Sequence, residues 1–168
     1  LAAICKGTSD LSNALLSKTT AAEIADVIKE FIKTMKSTNP PADLAKYTDL
    51  HLFAQAYPDR FYQMGMAEQL LMAAAGGMAK EGLVPCATTY AVFGTRRAYD
   101  FIHQVIAEEN LNVKICCALP GLTTGYGPSH AAIEDIAMMR GVPGLTIVDP
   151  CDALDIEQAV PQIAEHKG

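Results

Sequence analysis

The 168 residues suffice for one domain with a substantial core; half are hydrophobic and 19% are charged, an ordinary balance for a globular chain. A net charge of −6 and the lack of a basic stripe exclude a nucleic-acid footprint, which needs clustered Lys and Arg against phosphates. No apolar run approaches the roughly 20 residues that span a bilayer, so no membrane role is expected, and residues 1–4 lack the basic flank and length of a secretion signal.

Residues 1–17 mix small and polar types and read as a tail or docking arm. From Thr19 the pattern turns helical, with Ala22, Ala25, Val27, Ile28, Phe31, Ile32 and Met35 on one side and Lys29, Glu30 and Lys33 on the other. Asn39-Pro40-Pro41 ends that helix, which divides the chain into an arm and helix (1–38) and a main domain (39–168). After a polar stretch with one helical patch at 50–56, apolar runs at 61–66, 83–88, 113–119 and 145–148 read as strands. Helical patterns follow them at 67–80, 95–109, 129–140 and 152–165. This alternation predicts right-handed βαβ units in an α/β fold, a mostly parallel sheet with helices on both faces. Cys5, Cys86, Cys116, Cys117 and Cys151 are odd in number and match no zinc spacing. Cys86, Cys116 and Cys117 lie in strand-like runs and serve as small hydrophobes, which fits a reducing cytoplasm.

In an open parallel sheet, ligands bind beyond the carboxyl ends of the strands, and three of those ends carry unusual residues. At Gly65-Met66-Ala67-Glu68-Gln69 a carboxylate stands in the opening turn of a helix among apolar neighbours. An acid there complements the helix dipole; an apolar wall would also raise its pKa and favour proton sharing with a ligand nitrogen. At the second end, Tyr90 and Phe93 are either core residues or faces for a flat heterocycle. Arg96 and Arg97 suit surface pairs with Asp100 and neighbouring acids, or a substrate anion. The third end is a long Gly-rich connection, Pro120-Gly121-Leu122-Thr123-Thr124-Gly125-Tyr126-Gly127-Pro128-Ser129-His130. Ser129 is a natural N-cap for the following helix, and His130 stands at its entrance, structural or catalytic.

Arg60-Phe61-Tyr62-Gln63-Met64-Gly65-Met66-Ala67-Glu68-Gln69 resembles the RF-x-x-x-G-I-A-E-Q signature of transketolases and their relatives. The likeness continues through Thr89-Tyr90-Ala91-Val92-Phe93, Arg97-Ala98-Tyr99-Asp100, Gly127-Pro128-Ser129-His130, Glu134-Asp135-Ile136-Ala137 and Asp149-Pro150-Cys151-Asp152, and covers residues 42–165 in order. It implies the pyrimidine-binding domain of a thiamine-diphosphate enzyme that transfers two-carbon units between sugar phosphates. In this family the glutamate hydrogen-bonds N1′ of the cofactor's aminopyrimidine and so promotes proton removal from thiazolium C2. Glu68 matches that role; Phe93, with Tyr90 and Met66 beside it, matches the pyrimidine contacts. His130 matches a histidine on substrate oxygens, with Thr48 and Arg96 as further substrate contacts.

Several departures qualify the match. Tyr47-Thr48 replaces the Ser-Thr of the family's A-D-L-x-x-S-T segment, here begun by Ala42-Asp43-Leu44. Tyr126 replaces an acid that contacts sugar hydroxyls, so an unusual sugar or acceptor is expected. The strand that normally precedes Ala42-Asp43-Leu44 is missing, and another strand and a further domain normally follow the place of His166-Lys167-Gly168, which suggests further residues after Pro41 and after Gly168. No Gly-Asp-Gly run with a following Asn anchors Mg2+ and the diphosphate, which implies a separate diphosphate-binding subunit in a homo- or hetero-oligomer. The glycines of Ala75-Gly76-Gly77 suit either a partner's close approach or tight packing within the domain. Alternatives are the β subunit of a 2-oxo-acid dehydrogenase, a deoxyxylulose-phosphate synthase, and a non-catalytic module that holds an anion at helix N-termini.

Overall fold

The computed structural model describes the backbone of residues 13–18 and, in full, residues 50–168. Among these, β1 (Asn13–Lys18), β2 (Phe61–Gly65), β3 (Val84–Tyr90) and β4 (Lys114–Ala118) form one sheet in the order β2-β1-β3-β4. β3 and β4 are parallel, and β1 is antiparallel to both β2 and β3, so three of the four strands share one direction. The fold is α/β, as the strand-helix alternation predicts. The stretch read from sequence as a tail is in part the strand β1, an inner member of the sheet: Ala14, Leu15 and Leu16 make too short an apolar run to announce it.

The helices are α1 (Leu50–Ala56), α2 (Glu68–Lys80), α3 (Ala91–Arg96), α4 (Tyr99–Phe101, continued by a π-helical turn at Ile102–Ala107), α5 (Asp135–Met139) and α6 (Ala153–Glu165). Side chains alternate across a strand, and β3 shows the result. Ala87 packs with Leu71, Met72 and Ala75 of α2, whereas Cys86 packs with Leu50 and Phe53 of α1 and Ala164 of α6. Helices therefore cover both faces, and β3 is buried along almost its whole length, as a central strand between two helical layers must be. Among the described residues, no helix is long and apolar enough to cross a membrane.

Three sequence-derived elements differ, and the helix read from Thr19 lies outside the described residues. The helix expected over 129–140 shrinks to a 3-10 turn at Pro128–His130 and α5. The helix expected over 95–109 is broken into α3, α4 and the π-helical turn. The strand expected at 145–148 joins no ladder: a cavity of about 200 Å³ lies between Leu145, Thr146 and Val148 and the edge strand's Lys114, Ile115 and Cys116. α6 is the better-marked helix. Asp152 caps it by accepting from the amides of Leu154 (2.8 Å) and Asp155 (3.0 Å).

The paired glycines of α2 have different reasons. A Cβ on Gly76 would lie 2.5 Å from Val105 Cγ1 and 3.3 Å from the Val105 carbonyl oxygen, so the close approach is within this chain. A Cβ on Gly77 would meet nothing within 4 Å. In chemical denaturation, Gly76→Ala is expected to destabilise by about 1–3 kcal/mol through overpacking. Gly77→Ala is expected to stabilise by up to about 1 kcal/mol through helix propensity.

Thiol chemistry offers a second check on the core. Burial, with the neighbouring Cys116 charge adding to it, pushes the Cys117 thiol up to about 12, whereas Cys151 is exposed. Iodoacetamide at pH 8 should label Cys151 and leave Cys117 unmodified until denaturant is added, as mass spectrometry would show.

Candidate active site

β2, β3 and β4 share a direction, so their carboxyl ends open on one rim, and each end presents one of the expected side chains. At the first, Gly65 ends β2 with φ +69°, a left-handed turn that a side chain would strain. The chain turns there into α2, whose first residue is Glu68. The Glu68 side chain is only 2% exposed and accepts a hydrogen bond from Arg97 Nη1 at 3.1 Å. A carboxylate so buried requires a partner; leaving it unpaired costs about 3–5 kcal/mol.

At the second end, β3 runs directly into α3. Phe93 is buried in this helix, and the Arg97 amide donates to its carbonyl at 3.1 Å, which fixes the Arg97 backbone at the end of α3. The i, i+4 spacing brings the guanidinium over the ring, with Cζ 4.0 Å from the Phe93 centroid. Tyr90 lies 6.3 Å from Phe93, centroid to centroid, with planes 20° apart.

At the third end, Leu119 has φ +54°, a conformation that costs a non-glycine residue energy and is held here by its buried side chain. The loop beyond it is closed by a pair of backbone hydrogen bonds between Gly121 and Ala132, at 3.0 and 2.9 Å. Thr123 Oγ1 donates to the Pro120 carbonyl at 2.8 Å, and the Tyr126 amide donates to Thr124 Oγ1 at 3.2 Å. Pinned in this way, His130 sets its ring edge-on to Phe93 (5.3 Å) and near Tyr126 (5.4 Å) and Tyr90 (6.4 Å). Ser129 Oγ and His130 Nδ1 share a hydrogen bond at 2.9 Å.

Arg96 faces away from Glu68. It bonds Glu134 and reaches the Ala131 carbonyl at 3.5 Å, tying the end of α3 to the segment after His130. The hydrogen bond from Arg96 holds the Glu134 carboxyl below its ordinary range, and the same bond raises Arg96.

The structure thus brings Glu68, Tyr90, Phe93 and His130 to one rim. Met66 is 72% exposed beside them, and Arg96 serves the loop. Thr48, with Asp43 to Tyr47, lies outside the described residues. Ser129 does not cap a helix: the bridge between Gly121 and Ala132 holds Ala131 extended (φ −79°, ψ 132°), and α5 starts only at Asp135. The residue missed from sequence is Arg97, assigned there to the surface; its i, i+4 relation to Phe93 was the available signal. The setting expected for Glu68 was apolar, and the structure adds a guanidinium to it.

Comparisons with known proteins point to one family. A family model described as the transketolase pyrimidine-binding domain matches residues 17–168. An uncharacterised transketolase family protein of Sinorhizobium fredii is 76% identical over 127 residues, covering 76% of this chain and 37% of that protein. A protein named as a transketolase C-terminal section, from Methanocaldococcus jannaschii, is 38% identical over 128 residues, covering 76% of this chain and 40% of its own length. A 6-deoxy-6-sulfo-D-fructose transketolase subunit of a Clostridium species is 34% identical over 128 residues, with coverage of 76% and 40%. A solved structure titled as a split gene transketolase, inactive beta4 tetramer, superposes with a TM-score of 0.66 at 34% identity, covering 90% of this chain and 49% of that one. The chain therefore spans about two-fifths of the length of these curated relatives.

Proposed function

Because the chain belongs to the transketolase family through its pyrimidine-binding domain, we propose that it supplies the aminopyrimidine half of a thiamine-diphosphate site for two-carbon transfer between sugar phosphates. The observation that carries this reading is the meeting at one rim of a buried carboxyl, two aromatic rings and an imidazole, drawn from three separate strand ends. An anion-binding module would need none of them.

The residues present fit the group. Glu68, buried and in the first turn of α2, is the acid that would hold and share a proton at pyrimidine N1′. Phe93, with Tyr90 nearly parallel to it, offers the flat apolar surface on which a heterocycle stacks. The cofactor supplies a thiazolium C2 acidic enough to add to a ketose carbonyl once deprotonated. His130 is held by Ser129 through Nδ1, which leaves Nε2 directed to substrate oxygens. Tyr126, against His130, stands where an acid is expected to bind sugar hydroxyls, which supports a different sugar or a different acceptor from the usual pentose and hexose phosphates.

The likeness to a transketolase C-terminal section and to a split gene transketolase supports a second, diphosphate-binding subunit that would hold the diphosphate and Mg2+, within a homo- or hetero-oligomer in the cytoplasm. The exposed side chains of Met66, Leu70, Leu122, Ile133 and Ile136 flank the rim and offer the apolar surface such a partner would cover.

With the partner subunit, thiamine diphosphate and Mg2+ present, Glu68→Gln should slow C2 proton exchange by at least about a hundredfold while circular dichroism stays unchanged. Near-normal exchange would remove Glu68 from the mechanism. His130→Ala should lower turnover by roughly a hundredfold with little change in cofactor affinity. Parallel losses in both would make His130 a structural residue.

A further inference from the structure

Arg97 makes the two contacts that the proposed function gives to the aminopyrimidine. Its guanidinium is flat, cationic and rich in donors, as is a protonated pyrimidine edge. Nη1 donates to Glu68 Oε1 at 3.1 Å, and Cζ stands 4.0 Å over the Phe93 ring. The distance to the ring is that of a stacked plane, so one face of Phe93 is taken by the arginine. Resting on that functional reading, we propose that Arg97 is a positioning residue that holds Glu68 and one face of Phe93 in place and yields both to the aminopyrimidine, so that its release is a step of cofactor binding.

The two partners are unequally placed for such an exchange. The Glu68 side chain is 2% exposed and that of Arg97 47%, so the arginine lies on the solvent side of the pair. Glu68, the buried first residue of α2, has little room to move. Arg97 can swing its long side chain into water, where its charge is well hydrated, while its backbone stays bonded to the Phe93 carbonyl. No other carboxylate among the described residues is bonded to it: Asp100 accepts from Gln104, and Glu134 is held by Arg96. An incoming ring therefore competes with one ion pair and one cation–π contact, and the apparent affinity is the intrinsic one multiplied by the fraction of molecules in which Arg97 has released both.

The sign of a mutational effect separates this role from a structural one. The chain assembled with its diphosphate-binding partner is titrated with thiamine diphosphate and Mg2+ by calorimetry, as wild type and with Arg97→Gln, Arg97→Lys or Glu68→Gln. Arg97→Gln should bind the cofactor about three- to tenfold more tightly, although its melting temperature without cofactor falls because Glu68 has lost its partner. Arg97→Lys should fall between it and wild type. Unchanged or weaker binding in Arg97→Gln, with Glu68→Gln also weakened, would overturn the exchange and leave the cofactor site standing. No binding by wild type would sink the functional reading and the inference with it. A measurement on the unmutated complex guards against a variant that does not fold: Arg97 should react with phenylglyoxal faster once thiamine diphosphate is bound. Slower reaction would overturn the proposal.

Discussion

A carboxylate withdrawn from water must find a compensating charge or give up its proton, and the arrangement of the rim follows from how Glu68 meets that requirement. The compensation comes from Arg97, twenty-nine positions along the chain and on a different helix. The bond fixes the start of α2 against the end of α3. It also places a guanidinium over Phe93, and Phe93 in turn is the surface on which His130 rests. One interaction thus links all three strand ends, although each was built by a separate βα connection.

The third strand end is fixed by different means. His130 ends a single 3-10 turn (Pro128–His130) in an otherwise irregular loop, and such a loop is ordered only if its backbone groups find partners. The Gly121 and Ala132 amides and carbonyls satisfy each other across the loop's base, and Arg96 with Glu134 ties the same base to α3. The two adjacent arginines thus divide their work: Arg97 faces inward to the acid and Arg96 outward to the loop. A sequence shows only that they are neighbours.

Much of the fold was legible in the residues. The apolar runs that became β2, β3 and β4, and the helices α2 and α6, follow from periodicity and from Gly, Pro and Asp at their boundaries. The strand ends carrying Glu68, Phe93 and His130 were legible because parallel sheets bind ligands there. What escaped has physical causes. β1 is short and depends on pairing with both neighbours rather than on its own pattern. Residues 145–148 have a strand's composition but are separated from β4 by a cavity. The helix expected over 95–109 is interrupted by the turn at Arg97-Ala98 and by the π-helical turn, neither of which changes the spacing of apolar residues enough to be seen. The glycine at 76 left two readings open, and only the position of Val105 decides between them.

β1 precedes the rest of the sheet in the chain, yet it lies between two later strands and runs against both. A ribosome releases it well before β2 and β3 exist, so its apolar residues wait without a partner during synthesis. The β3–β4 pair is comparatively local, whereas docking β1 closes a far longer span of chain. This raises the contact order, so docking β1 carries the larger loop-closure cost. Until β1 docks, β2 and β3 lack the strand that joins them, and the rim carrying Glu68 and Phe93 is not yet assembled.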